Sequence, residues 1–478
     1  MSHTNITPAR AELLSGQPTH TPPRPTAATL AAPLAAPLAA PLAAPLLIAL
    51  WALLGGARVA LAVDPLIISG TEEGRGGEGG REEGKLKVFG FIQTRADQHL
   101  GGEVGALTST ALKKFSGDLP TFNAMGSAQT ALWVPRARLG ARGSVPKTDG
   151  RLSYFMLLEA GQVPITRLSP VMPVEMSATL SYLPGARLRV GFFKLPTMEE
   201  INYPVPAALP LINFSNTLAR LLNESTVGGG RYTSGVTAYR DLGAQVFDSF
   251  ELGAWRVGYA LMASNGVRDP RQQRDAKDLS GRLELAYVWE GKRTDLRQKE
   301  VKLTAWRLQG EREVESVSAA GEVSAQGVER VRQGVAMRLE RGAYWALAEY
   351  AEGRGALDVG ARSPFAGSPV YLVPKGEAWG AVAQAGLRAP LSALRAGWGG
   401  EVGVKARYEE YHQQTEDEAK LRVFHTGTLG LEWSPTPQAR LQLDYELRRL
   451  SAPSGSADAR VIAAAMGDRV SLQLTLMF

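Results

Sequence analysis

The sequence predicts an all-β fold: a transmembrane antiparallel β-barrel of about sixteen strands, preceded by an N-terminal signal peptide. Three observations carry that reading. From residue 85 onward, polar and apolar side chains alternate in segments of roughly ten residues, the length of a tilted membrane-crossing strand. The connections between these segments tend to alternate short and long. The last segment, 468–478, sets Val470, Leu472, Leu474, Leu476 and Phe478 on one face and ends on that aromatic.

The N-terminus comes first. Residues 1–45 are rich in Pro, Ala and Thr, with an imperfect Ala-Ala-Pro-Leu repeat from Ala31 to Leu46 that forbids a stable helix. An apolar run from Leu46 to Leu54 follows, then the small-x-small pattern Ala60-Leu61-Ala62. With Arg10 and Arg24 upstream, this reads as a secretory signal peptide over 1–62. The run is short for an uncleaved membrane anchor. The n-region is long, which places the expected start codon downstream of Met1. Residues 63–84 are Gly- and Glu-rich and read as a flexible periplasmic linker. The barrel is expected over 85–478.

Composition removes several alternatives. The 478 residues carry 53 Lys plus Arg against 47 Asp plus Glu, a net charge of +6. That is too mild for a nucleic-acid binder with a basic stripe. There is no cysteine, so disulfides, zinc–thiolate sites and cysteine-ligated clusters are excluded. Mean hydropathy is -0.11, and after the N-terminal run no segment is apolar enough for a helical span.

The alternation places strands near 85–95, 132–145, 151–161, 175–184, 186–195, 240–248, 253–264, 278–290, 299–310, 330–341, 343–352, 376–387, 400–411, 421–434, 437–449 and 468–478. Short turns are expected at 146–150, 184–185, 248–253, 342 and 434–437. Longer connections fall at 96–131, 162–174, 196–239, 265–277, 311–329, 353–375, 412–420 and 450–467. One connection breaks the parity: 388–399 should be short and is longer than 412–420. Short periplasmic turns and long outer loops suit a barrel in a bacterial outer membrane, in contact with its lipid.

The charged face must be the inner one. Arg136, Arg138 and Arg142 oppose Leu139, Ala141 and Val145; Arg187 and Arg189 oppose Leu188 and Val190. Arg282 opposes Leu283 and Leu285, and Arg440 and Arg448 oppose Leu441 and Leu447. An Arg facing lipid at mid-depth costs about 2–4 kcal/mol, and several per strand would be prohibitive. These eight arginines are therefore expected to line the lumen of a barrel wide enough to hold water. Glu159, Glu284, Glu340, Glu409 and Glu432 share that face and offer partners to the arginines. Tyr287, Trp289, Tyr408 and Trp433 fit interfacial girdles on the outer face.

Several stretches resemble the porin O and P family of phosphate-selective porins. They are Pro135 to Gly143, Arg187 to Pro196 followed by Glu199-Glu200, Arg240 to Gln245, and Tyr259 to Gly266. The resemblance is strongest over 132–270, and the terminal aromatic looks like an outer-membrane assembly signal. It implies a sixteen-stranded homotrimeric porin whose third long loop, here 196–239, folds into the lumen as a constriction. The family pattern has a Lys cluster on that loop. This loop has no Lys, and its basic residues are Arg220 and Arg231. The resemblance thus implies passive diffusion of small hydrophilic solutes with anion preference, while phosphate selectivity lacks its Lys cluster.

Other classes find less support. A barrel hydrolase needs a nucleophile with a base nearby, and after residue 62 the only histidines are His99, His412 and His425. His99 and His412 are expected in loops, and His425 on the outer face. No catalytic set, metal spacing or cofactor motif emerges; Gly228-Gly229-Gly230 lacks the Lys and Ser/Thr of a phosphate loop. A barrel acting as scaffold or conduit for a partner protein or polymer is the remaining alternative.

Overall fold

The computed structural model describes residues 86–100, 130–161, 171–202, 206–222, 227–228, 231–232, 239–266, 277–290, 299–317, 323–358, 372–393, 399–453, 460, 463 and 466–478. The signal peptide expected at 1–62 and the linker at 63–84 lie outside the described residues.

The alternating segments form strands β1 (Lys87–His99), β2 (Thr130–Ser144), β3 (Leu152–Glu159), β4 (Met172–Leu183) and β5 (Ala186–Lys194). Then come helices α1 (Glu199–Asn202) and α2 (Asn216–Leu221) and a small hairpin, β6 (Val227–Gly228) with β7 (Arg231–Tyr232). Strands β8 (Arg240–Leu252), β9 (Trp255–Ser264), β10 (Asp278–Glu290), β11 (Lys299–Val317), β12 (Val323–Arg341) and β13 (Tyr344–Asp358) follow. The chain ends in β14 (Leu372–Pro390), β15 (Glu401–Gln413), β16 (Arg422–Thr436), β17 (Ala439–Ser451) and β18 (Arg469–Met477). All except β6 and β7 join one closed barrel of sixteen strands, with neighbours antiparallel throughout. Closure leaves no strand edge exposed to lipid, which is what a membrane demands of a sheet.

The barrel closes where the terminal strand meets the first. β18 pairs with β1 from Phe91↔Met477 to His99↔Arg469. Phe478 extends the ladder by exchanging two backbone bonds with Gly90, each 3.0 Å. Its ring lies so close over Gly90 that a Cβ there would stand 2.4 Å from Phe478 Cζ. Glycine at this position makes room for the terminal aromatic.

The alternation settles the two faces. Leu139, Val190, Leu283, Leu285, Leu431, Leu443, Leu472, Leu474 and Leu476 are exposed on the outer face. Trp255, Tyr287 and Trp289 stand at the short-turn end, with Trp255 and Tyr287 packed edge to face at 5.1 Å. This apolar outer belt on a closed barrel places the protein in the bacterial outer membrane.

Three expectations change. The segment 311–329, read as loop, is largely strand, since β11 and β12 stay paired out to Val317↔Val323. Its sequence, Glu311 to Val317 and Val323 to Glu329, lacks the regular polar–apolar alternation by which the other strands were read. His99 is the last residue of β1 and is buried, and His412 lies within β15, stacked on Trp379 at 3.9 Å. Both had been expected in loops. The parity exception persists: the stretch 391–400, at the short-turn end, is longer than 414–421.

Candidate functional site: the lumen and its inserted loop

In the connection between β5 and β8, the described residues 195–202 and 206–222 fold back inside the barrel. Its apolar residues Met198, Ile201, Leu218, Leu221 and Leu222 are fully buried against inward side chains of the wall, among them Trp306, Tyr411, Phe424 and Leu450. Burial of this apolar surface, at about 25 cal/mol per Å², stabilises the docked loop. Ser215 caps α2, its hydroxyl accepting from Leu218 N at 3.1 Å.

Polar contacts fix where the loop leans. On β17, Asp444 accepts from Ile212 N at 2.6 Å, Glu446 accepts from Asn213 Nδ2 at 2.9 Å, and Gln442 donates to Pro210 O at 3.0 Å. Arg440 donates to Pro210 O at 3.2 Å and pairs with Glu432 at 2.6 Å. Lys405 on β15 also donates to Pro210 O. Arg407 donates to Asn213 O at 2.7 Å and pairs with Glu409 at 3.3 Å. From β1, Arg95 reaches Ile212 O at 3.1 Å. On the other side, Glu349 of β13 accepts from the backbone N–H of Glu199 and Glu200, at 2.8 and 3.2 Å.

Two loop glutamates carry the loop's buried charge. Glu199 is gripped by Lys302 at 2.8 Å, by Arg338 at 3.1 Å and by Arg282. Burial pushes its carboxyl up, but Lys302, Arg282 and Arg338 outweigh this and hold it well below the ordinary carboxylate range. Glu200 accepts from Ser215 N at 3.0 Å and from Ser215 Oγ at 2.5 Å, with Arg407 at 3.7 Å. Here burial wins over Arg407 and the Ser215 bonds, and the carboxyl sits above its usual range.

The eight expected arginines fall as follows. Arg138, Arg142, Arg187, Arg189, Arg282, Arg440 and Arg448 are buried on the inner side, and Arg136 bonds inward to Gln93 at 2.9 Å. Arg138 pairs with Glu159 at 2.6 Å and Arg187 with Asp248 at 3.4 Å. Arg142 lies over Phe89 at 5.5 Å, and Arg187 and Arg189 lie over Phe247 at 4.5 and 4.4 Å. Arg448 donates to Gly467 O at 2.9 Å and contacts the ring of His99. The five inner glutamates each take an Arg partner, with Arg282–Glu284 at 2.7 Å and Arg388–Glu340 at 3.1 Å besides those above. In the loop, Arg220 bonds Asn216 at 3.3 Å and lies over Phe424 at 3.9 Å. Arg231 belongs to β7, and its side chain lies outside the described residues.

The lumen is narrower than sixteen strands alone imply. Seven of these eight arginines are less than 10% exposed and Arg136 is half-buried, because the loop occupies the centre and long side chains lie across aromatic rings. A cavity of about 20 Å³, whose lining includes Glu199, Glu200, Arg338, Glu340, Trp345 and Arg388, lies beside the Glu199 cluster. Sequence reasoning missed this cluster because it sought lysines on the loop. The lysines stand on the wall: Lys302 in β11 and Lys405 in β15, on the inner parity with Thr304 and Arg407. That parity was legible in the alternation.

No protein-family model and no curated protein matches the sequence. Solved structures do match. OmpF of Salmonella typhi, in complex with daunomycin, aligns with a TM-score of 0.51 at 14% identity, covering 82% of this chain and 98% of that one. An anion-selective porin from Comamonas acidovorans aligns at 0.48 and 13% identity, covering 82% and 99%. OmpT of Vibrio cholerae, in a trimer form, aligns at 0.49 and 11% identity, covering 83% and 100%. At identities this low the likeness is one of fold. The fold is that of a sixteen-stranded outer-membrane β-barrel.

Proposed function

We propose that the protein is an outer-membrane porin through which small hydrophilic solutes diffuse passively, with a preference for anions. One observation carries this: the inserted loop is tethered by its polar contacts mainly to β10–β17, while β2, β5 and β8 bring Arg136, Arg138, Arg142, Arg187, Arg189 and Arg240 inward on another stretch of wall. A path between that stretch and the loop would be lined by fixed guanidinium groups, which lower the cost of admitting negative charge. The tight lumen favours small solutes and weighs against a conduit for a polymer or partner chain. The family resemblance also implies a homotrimer, while the phosphate selectivity of that family lacks its Lys cluster on this loop. The signal peptide at 1–62 and the linker at 63–84 complete the reading.

Planar-bilayer recording tests it. Discrete conducting steps are expected, with a reversal potential on the anion side in a chloride gradient. Absence of steps removes the channel; a cation-side reversal removes the anion preference. Mass measurement in detergent and N-terminal sequencing of the exported protein test the trimer and the cleavage site.

A further inference from the structure

Lys302 of β11 and Arg338 of β12 stand directly opposite each other in register, with Arg282 of β10 reaching the same point. Like charges directly opposite on neighbouring strands repel. The strands fix them there, and the anion that relieves them, Glu199, comes from a loop. Thr304 Oγ1 adds a donor to the same carboxylate at 3.4 Å. Wall carboxylates compensate only partly. Glu284 pairs with Arg282 and Lys302, and Glu300 with Arg338 and, at 2.5 Å, with Arg256. Without Glu199, the cluster of Arg282, Lys302 and Arg338 would lose the carboxylate that all three contact.

We propose that Arg282, Lys302 and Arg338 form a binding site for the carboxylate group of a small solute, with the Glu199 side chain as its resident occupant. The proposal rests on the channel reading and deepens it. The internal ligand identifies the class: three charged donors and a hydroxyl converge on a carboxylate. The adjoining cavity supplies room for the solute's body. Glu199, Glu200, Glu340 and Arg338 form part of its lining, with Glu340 paired to Arg388; Trp345 and Leu347 offer apolar surface, and Gln384 offers a polar group for a second functional group. Arg388 lies over the Trp345 ring at 5.5 Å, which holds that ring in place. With Glu199 seated, the cavity holds about one water. When the Glu199 side chain swings aside, the carboxylate position and the cavity join. The loop stays anchored meanwhile by its contacts to β15 and β17 and by its apolar cluster. Short-chain monocarboxylates and dicarboxylates fit this description.

Chemical rescue tests it. Glu199→Ala leaves a carboxylate-sized hole facing the three cations. Calorimetric titration of the refolded, detergent-solubilised variant with acetate should show affinity about tenfold above that of the unaltered protein, since a charge-assisted hydrogen bond to a vacated site is worth that much. Adding Lys302→Gln to Glu199→Ala should abolish the gain. Succinate should inhibit the chloride current of the unaltered protein, and Lys302→Gln should remove the inhibition, so the site is tested even where Glu199→Ala fails to refold. No gain in acetate affinity, an equal gain for inorganic phosphate, or a gain that survives Lys302→Gln overturns the proposal. Acetate binding without current from any protein keeps the site and removes the channel. Current without acetate binding does the reverse.

Discussion

Two stretches of the inner wall carry similar side chains and use them differently. On β2, β5 and β8, arginines lie over phenylalanine rings, as with Arg142 on Phe89 and Arg189 on Phe247. On β10–β17, the cations are bound by the inserted loop: Arg282, Lys302 and Arg338 by Glu199, Arg440 and Lys405 by the carbonyl of Pro210. The first stretch holds most of its charge at the wall, with Lys194 donating to Ile201 O at 3.0 Å and Arg136 lying over Phe214 as its contacts to the loop. The second spends its charge on holding the loop. An inward arginine is thus not in itself a selectivity residue; its partner decides what it does.

The sharpest way to break this contrast is to detach the loop. Leu218 is fully buried, and Leu218→Asp would bury an unpaired charge in the apolar cluster. Refolded barrels should still show heat-modifiable gel mobility, while single-channel conductance rises several-fold. Unchanged conductance would mean the loop does not set the constriction.

The next effect is on selectivity. Replacing Arg138 and Arg142 together with Ala should move the reversal potential toward zero, because it removes charge from the first stretch. Arg440→Ala should leave selectivity nearly unchanged and raise conductance instead, since that guanidinium serves the loop and Glu432. A larger selectivity change from Arg440→Ala than from the double variant would reverse the assignment of the two stretches.

A smaller effect concerns pH. Glu200, held above its usual range, takes up a proton first as pH falls; Glu199, held below it, stays ionised. The docked loop therefore binds a proton at Glu200 more tightly than the free loop would, so docking strengthens as pH falls through the range where Glu200 titrates. Glu199 works against docking only at far lower pH. Lowering pH from about 7 to about 5 should leave conductance steady or slightly reduced. A rise over that interval would show that protonation of Glu200 does not strengthen docking of the loop.

The smallest expected effect on conduction lies at the closure. Phe478→Ala uncovers Gly90 and should lower thermal stability by about 1 kcal/mol, leaving conductance of refolded channels unchanged.

Much of the barrel was legible because lipid and lumen impose opposite chemistries on alternate residues. Leu283 and Leu285 against Arg282 and Glu284 state the faces of β10 without any contact being known. Where that contrast stops, as in the upper parts of β11 and β12, the strands were read as loop. His99 and His412 were misplaced for a related reason: each sits at or near a strand's outer end, where no apolar alternation marks the boundary. The candidate site was legible only in part. The inner parity of Arg282 and Arg440 could be read, but not that one meets Glu199 and the other Pro210.

The sequence by itself determined the number of strands, their faces, and the pairing of the terminal strand with the first. These follow from a period of two and from lipid on one side. Only the tertiary structure decided which inward charges meet. Glu199 and Arg338 are far apart in the chain, and no local pattern records a contact between a loop and a strand folded around it. The closing strand shows both sides of this. Its alternation foretold its partner, while the seat of Phe478 over Gly90 required the barrel to close.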